Sequence, residues 1–173
     1  MLWQTDPFQE TAADEAASTD MTTSIDTTSR PTSVRPGRRP RILVVHEARA
    51  ERDAYSAHLR GAGYDVQVAT DGLEAVARAV ARRPDAIVMD VAAPGLDGWE
   101  VTRRLKAAAA TRDIPVIAVG GRESAHAGER AQAAGCVACL RRPFPPEDLR
   151  AELDRQLGQH RPRPRRRGRA GRV

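Results

Sequence analysis

The stretch Asp85-Ala-Ile-Val-Met-Asp90, followed by Val91-Ala-Ala-Pro-Gly-Leu-Asp-Gly98, decides the fold of this chain. An unbroken apolar run closed by a carboxylate is typical of a parallel strand that is covered on both faces, and the Pro and Gly residues behind it indicate a loop. In open α/β sheets, ligands bind just beyond the carboxyl ends of the strands. The sequence therefore places Asp90 where such a sheet carries its chemistry.

The same alternation of short apolar runs and helical segments continues on both sides of this strand. Strands are predicted at 42–45, 64–69, 86–90, 114–119 and 137–140. Helices are predicted at 48–60, 72–83, 99–109, 123–134 and 147–159, and in the second of them Leu73, Val76 and Val80 share one face. This rhythm implies right-handed crossovers and a parallel sheet with helices on both faces. We expect a flavodoxin-like, doubly wound α/β domain, for which 2-1-3-4-5 is the common strand order at this size.

Composition divides the 173-residue chain into three parts. Residues 1–39 are rich in Thr, Ser, Ala and Asp and are expected to be disordered, residues 40–160 hold the predicted domain, and residues 161–173 form an Arg-rich tail that is also expected to be disordered. The formal charge is −4 over 1–37, +2 over 38–160 and +7 over 161–173, so the basic character lies in the tail. Such a tail can attract nucleic acid non-specifically and in a salt-dependent way, without reading bases.

Several classes of protein are disfavoured by the sequence. No apolar run approaches the ~20 residues that a membrane helix needs, and the first residues lack the features of a secretory signal, so we expect a cytoplasmic protein without membrane partners. No Gly-rich phosphate loop follows the first predicted strand, which argues against a nucleotide-dependent enzyme. Cys136 and Cys139 are three residues apart near the fifth predicted strand, where we expect them to face opposite sides and not to share a metal.

Charged side chains follow the predicted strands at the edge where the carboxyl ends meet. His46 and Glu47 follow the first strand, Asp90 ends the third, and Arg142 follows the fifth. Two carboxylates can hold Mg²⁺, which needs only one or two carboxylates besides water and phosphate oxygens. An aspartate beside such an ion can act as a nucleophile toward phosphorus, and a guanidinium can bind the phosphate.

The segment from Arg41 to about Gln159 resembles a response-regulator receiver domain of two-component signalling. The motifs that carry the resemblance occur in the family's order: Arg41-Ile-Leu-Val-Val45, Gly63-Tyr-Asp-Val66, Ala69-Thr-Asp-Gly72, Arg83-Pro-Asp85, Asp90 with Pro94-Gly-Leu-Asp-Gly98, Ile114-Pro-Val-Ile117 and Arg142-Pro-Phe144. The resemblance implies that Asp90 accepts a phosphoryl group from a histidine kinase or phosphotransferase. It also implies a Mg²⁺ ion held by Glu47, Asp90 and the backbone carbonyl of Ala92, with His46 a poor ligand for this ion.

The chain departs from the family at four positions around this site. His46 stands where the family has the first of two adjacent acids, and Gly120 where it has a Ser or Thr hydroxyl that binds the phosphoryl oxygen. Arg142 replaces a lysine, and Cys139 stands at the position of a switch aromatic. Only one of the chain's 28 Lys and Arg residues is lysine, so compositional drift can explain Arg142 but not His46 or Gly120. We therefore expect weakened Mg²⁺ affinity and an altered signal output.

These observations predict a single-domain response regulator that accepts a phosphoryl group on Asp90 and signals by protein contact. The 13 residues after 160 are too few for a folded output domain. We expect no enzymatic activity beyond self-phosphorylation and self-dephosphorylation. The expected partners are the kinase or phosphotransferase, an unknown downstream protein and a second copy docked through the fourth helix, fifth strand and fifth helix. The alternatives are a phosphorylation-independent interaction module and nucleic-acid association through the tail.

Overall fold

A six-stranded sheet forms the centre of the structure, a computed structural model that describes residues 38–91, 97–120 and 126–158 and the backbone of 22–24. The strands are β1 (Thr22–Ser24), β2 (Arg41–Val45), β3 (Asp65–Ala69), β4 (Ala86–Asp90), β5 (Val116–Gly120) and β6 (Ala138–Arg141). The helices are α1 (Arg49–Gly61), α2 (Gly72–Arg82), α3 (Gly98–Ala107), α4 (Ala127–Ala134) and α5 (Pro146–Gly158). The sheet order is β1-β6-β5-β4-β2-β3, and β2 to β6 are parallel. Counted alone, the parallel strands have the order 2-1-3-4-5, which confirms the predicted flavodoxin-like fold.

The sixth strand lies in the part of the chain for which we expected disorder. The backbone of Thr22–Ser24 pairs antiparallel with β6, with Thr22 opposite Leu140 and Ser24 opposite Ala138. For these three residues the expectation of disorder does not hold, because the edge of β6 offers unpaired backbone groups that an extended segment can bind. The rest of residues 1–37 and the tail 161–173 lie outside the described residues.

Local signals explain where the helices on either side of β4 begin. The Asp71 carboxylate accepts the Glu74 backbone N–H at 2.8 Å and caps α2. The Asp97 carboxylate accepts the backbone N–H groups of Trp99 and Glu100 at 3.1 and 3.2 Å and caps α3. Such caps satisfy N–H groups that have no partner inside the helix.

The helices cover both faces of the sheet, and every residue of β4 is buried. The apolar face predicted for α2 packs on the sheet only in part, because Val76 lies against the core whereas Leu73 and Val80 do not. Leu73 is 78% exposed and Val80 46% exposed, whereas Ala75 and Ala79 are fully buried. Small side chains let α2 approach the sheet closely, which the larger residues would prevent.

The two cysteines differ from the expectation in the direction of their side chains. Cys136 precedes β6, Cys139 lies within it, and both thiols are buried in the same core cluster. The prediction that they face opposite sides of a strand is therefore wrong. Burial raises the pKa of Cys136 to about 12, with a further contribution from the nearby Cys139. Among the described residues, no helix is long and apolar enough to cross a membrane.

Candidate functional site

Asp90 is the last residue of β4, the central strand of the parallel sheet, and is only 2% exposed. Its backbone pairs with Val119 of β5, and the next residue continues the ladder through a Val91 N–H bond to the Val119 carbonyl at 2.9 Å. A carboxylate at this depth needs partners, because burial without them disfavours its charge. Residues that follow β2 and β6 supply such partners.

His46 follows β2 directly, is 3% exposed and lies against Asp90. Its Nδ1 accepts the backbone N–H of Ala48 at 3.0 Å, so a neutral imidazole carries its hydrogen on Nε2. This Nε2 lies 3.0 Å from Asp90 Oδ2 and 2.8 Å from Glu51 Oε2. The hydrogen-bonding network therefore assigns His46 as a donor toward two carboxylates.

Arg142 follows β6 and reaches the same carboxylates. Its Nη2 lies 3.1 Å from Glu51 Oε2 and 3.6 Å from Asp90 Oδ2, while its Nε donates to the Tyr55 hydroxyl at 3.3 Å. Burial alone would lower the pKa of Arg142, but the bond to Tyr55 and the charges of Asp90 and Glu51 raise it above its ordinary value. The guanidinium thus stays charged. Arg142 Nη2 also lies 2.8 Å from His46 Nε2, so the guanidinium and the imidazole N–H lie side by side and face the same carboxylate oxygens.

The acid that completes this cluster is Glu51, not Glu47. Glu47 is exposed, and with the residues that the structure describes its side chain forms no ion pair or hydrogen bond. The buried His46 side chain points toward Asp90, and the next residue of an extended segment points the other way. The expected pairing of Glu47 with Asp90 is therefore not found. Glu51 enters from α1 with its side chain 51% exposed.

Two residues of this cluster, Glu51 and Tyr55, were not predicted from the sequence. They are four residues apart on α1 and so lie on one face of the helix. The Tyr55 ring lies 6.0 Å from the His46 ring and stacks on Phe144 at a centroid distance of 6.1 Å. The i, i+4 spacing close behind His46 is the signal that marks them.

The remaining predicted site residues have different outcomes. Gly120 ends β5, and its carbonyl accepts the Arg142 backbone N–H at 2.9 Å. A Cβ at Gly120 would lie 3.0 Å from Val91 Cγ2. A Ser or Thr at this position, as the family has, would therefore contact a methyl group of Val91. Cys139, at the switch position, is buried. Ala92 lies outside the described residues.

The described residues do not fit a Mg²⁺ ion in the expected way. The one imidazole nitrogen with a lone pair is used by Ala48, so His46 presents an N–H and not a ligand. Asp90 Oδ2 already faces His46 and Arg142. In the part of the chain that the structure describes, no group of three or more His, Cys, Asp or Glu residues is arranged to hold a metal ion.

Known proteins that are similar to this chain agree with the fold described above. A family model described as "Response regulator receiver domain" matches residues 42–154. The response regulator MprA of Mycobacterium avium (strain 104) is 38% identical over 122 residues, which cover 70% of this chain and 53% of that protein. MprA of Mycobacterium leprae is 37% identical over 122 residues, again 70% of this chain and 53% of that protein. The chain thus spans about half the length of the curated relatives it matches.

Solved structures give the same result. The chemotaxis protein CheY4 of Vibrio cholerae is similar with a TM-score of 0.65 and 31% identity, covering 69% of this chain and 100% of that chain. The receiver domain of the sensor histidine kinase PA1611 of Pseudomonas aeruginosa has a TM-score of 0.64 and 34% identity, covering 70% of this chain and 99% of that chain. The latter structure has a magnesium ion coordinated in its active site cleft.

Proposed function

Because the chain belongs to the family of response regulator receiver domains, we propose that Asp90 accepts a phosphoryl group in a two-component phosphorelay. The observation that carries this proposal is the position of Asp90 at the carboxyl end of the central strand, buried, with a guanidinium 3.6 Å from Oδ2. A carboxylate that is oriented by its neighbours can attack phosphorus with little loss of conformational freedom.

The chemistry follows from this arrangement. A carboxylate oxygen of Asp90 forms a bond to phosphorus while the phosphorus–nitrogen bond of a donor phosphohistidine breaks, and the released imidazole takes a proton from water. Arg142 is 26% exposed and stays charged, so it can pair with the phosphoryl oxygens at the mouth of the site. Gly120 cannot donate a hydrogen bond to them from its side chain. Phosphoryl binding therefore depends more heavily on Arg142 than on a hydroxyl.

Acetyl phosphate is the simplest donor with which to test the proposal. The wild type should gain the mass of one phosphoryl group, and Asp90→Asn should gain none. Asp71→Asn is the matched control, because Asn caps a helix about as well as Asp and Asp71 is part of the α2 cap. Arg142→Gln should slow labelling by about 10- to 100-fold, since it removes a charge that faces the phosphoryl group. Labelling of Asp90→Asn at the wild-type rate refutes Asp90 as acceptor.

Signalling through protein contact is the output that we propose, with a downstream protein or a second copy bound at the surface formed by α4, β6 and α5. The antiparallel β1 lies along the edge of β6 and so borders this surface. Removal of residues 1–30 should change the self-association of the chain, measured by analytical ultracentrifugation with and without acetyl phosphate. Identical sedimentation of both chains under both conditions argues against this surface as a dimer interface.

A phosphorylation-independent interaction module is the second candidate function. It is favoured by the depth of Asp90, which is 2% exposed, and by the partners that Oδ2 already has in His46 and Arg142. In that case Asp90→Asn should bind the same partners as the wild type in a pull-down from the native cell. Loss of those partners in Asp90→Asn, but not in Asp71→Asn, contradicts this candidate.

Nucleic-acid association through residues 161–173 is supported only by the charge of +7 in that segment. Deletion of these residues should abolish salt-dependent retention on a duplex DNA column. Unchanged retention removes this candidate.

A further inference from the structure

We propose that the His46 N–H and the Arg142 guanidinium together partner the Asp90 carboxylate, so that the Asp90 site does not bind Mg²⁺. The inference concerns metal binding in the absence of any phosphoryl donor. It therefore stands or falls independently of phosphorylation at Asp90.

The His46 imidazole points its hydrogen, and not a lone pair, at Asp90. His46 Nδ1 accepts the Ala48 N–H at 3.0 Å, and Nε2 donates toward Asp90 Oδ2 at 3.0 Å. A metal ligand at this position would need a free lone pair on the nitrogen that faces the site. The imidazole instead offers a hydrogen, which is a partner for a carboxylate and not for a cation.

Arg142 already offsets part of the negative charge of the cluster. Asp90 and Glu51 contribute two negative charges, Arg142 one positive charge, and a neutral His46 none, so the cluster has a net charge of about −1. Its four polar atoms are joined by distances from 2.8 to 3.6 Å. A divalent ion at Asp90 Oδ2 would have to displace His46 and would lie beside the Arg142 guanidinium. That arrangement is unfavourable because the two cations would repel each other beside a carboxylate that is itself buried.

The other acids near His46 are either turned away from Asp90 or already paired. Glu47, the acid that follows His46, is exposed and forms no ion pair with the described residues. Glu51 is the only other acid that the described residues place on His46 Nε2, and its Oε2 is 3.1 Å from Arg142. Mg²⁺ keeps near-ideal octahedral geometry and exchanges its waters reluctantly. Asp90 Oδ2, the buried carboxylate oxygen of the cluster, already faces His46 and Arg142.

Binding of Mn²⁺, followed by the electron paramagnetic resonance signal of the free ion and by competition with Mg²⁺, tests the proposal. The wild-type chain should show no saturable site that depends on Asp90. His46→Asp should create one and bind Mn²⁺ about tenfold or more tightly than the wild type, because it replaces an N–H by a carboxylate. Asp90→Asn in the His46→Asp background should abolish that gain. If His46→Asp does not fold, Arg142→Gln replaces it, and a gain of binding is again expected.

Saturable binding to the wild type that is lost in Asp90→Asn, or in Glu51→Gln, overturns the proposal. Binding that survives both substitutions lies elsewhere and leaves the Asp90 site free of metal, as proposed.

The melting temperature Tm measures separately whether His46 and Arg142 stabilise the Asp90 carboxylate. Asp90→Asn should lower Tm by about 5 °C, because it removes an acceptor from two donors. An equal or higher Tm means that His46 and Arg142 do not offset the cost of burying the Asp90 carboxylate. That result contradicts the proposal.

Discussion

The strongest steric prediction of the structure concerns Gly98, the first residue of α3. A Cβ at this position would lie 2.5 Å from the Asp90 carbonyl oxygen and 2.9 Å from Val91 Cα. Carbon and oxygen atoms that are not bonded rarely approach closer than ~3.3 Å. The atoms in the way belong to the backbone of β4 and the residue after it, so no side-chain rotation can relieve the contact.

The cost of Gly98→Ala follows from this geometry. Overpacking a well-filled site costs about 1–3 kcal/mol. Replacing Gly by Ala also reduces the conformational freedom of the unfolded chain, which stabilises the folded state by about 0.4–1 kcal/mol where the backbone permits Ala. Gly61→Ala is the matched control, because Gly61 ends α1 and a Cβ there meets nothing within 4 Å. We expect Gly61→Ala to be neutral or stabilising, and Gly98→Ala to be less stable than Gly61→Ala by about 1–3 kcal/mol, because the unfolded-state gain is common to both.

Urea unfolding followed by circular dichroism measures both variants against the wild type. Because the substitution displaces the backbone that carries Asp90, Gly98→Ala should also slow labelling by acetyl phosphate, whereas Gly61→Ala should not. Equal midpoints for the two variants, with unchanged slopes, refute the steric reasoning. A destabilised Gly98→Ala with full labelling at saturating donor refutes only the link between Gly98 and the position of Asp90.

Three further predictions concern other parts of the fold. Asp85→Asn should destabilise the chain by about 1–3 kcal/mol in the same urea assay, because this 2% exposed carboxylate accepts three hydrogen bonds of 2.7 to 2.9 Å from arginine groups. Cys136 should resist Ellman's reagent at pH 8 until the protein unfolds, because burial raises its pKa to about 12; rapid native-state reaction of both thiols contradicts its burial. Glu74 has a lowered pKa, first because it accepts the Thr70 backbone N–H. Its stabilisation is therefore present above its ordinary pKa of 4.5 and lost as the pH falls through the lower folded value, so the gap in unfolding midpoint between wild type and Glu74→Gln should close on acidification.

The sequence predicted the fold well because its strongest signals are local. The run Ala86–Asp90 was placed residue for residue, since an apolar run bounded by Pro84 and a Pro-Gly loop leaves little freedom in its limits. The face of α2 was harder to predict. Two sets of residues have helical spacing: Leu73, Val76 and Val80, and the pair Ala75 and Ala79. Only the short distance between helix and sheet determines that the alanines are the fully buried residues.

The site was predicted less completely than the fold. Asp90, His46 and Arg142 could be assigned to one edge because strand ends converge there, and the structure brings these three side chains together. Glu51 could not be assigned, because its distance from His46 depends on the angle at which α1 leaves β2. The strand ends alone favoured Glu47, whose side chain turns outward because its neighbour His46 turns inward.

The arginine at position 142 has more than a compositional explanation. The sequence contains one lysine among 28 basic residues, so a change from the family's lysine to arginine is expected from drift alone. In the structure, however, Arg142 uses two different nitrogens, with Nε on Tyr55 and Nη2 toward Glu51 and Asp90. A lysine carries its three donors on one nitrogen, so it lacks the two separated nitrogens with which Arg142 reaches Tyr55 and the carboxylates. Because His46 donates to the same two carboxylates, the side chains at 46 and 142 act together on Asp90 and Glu51.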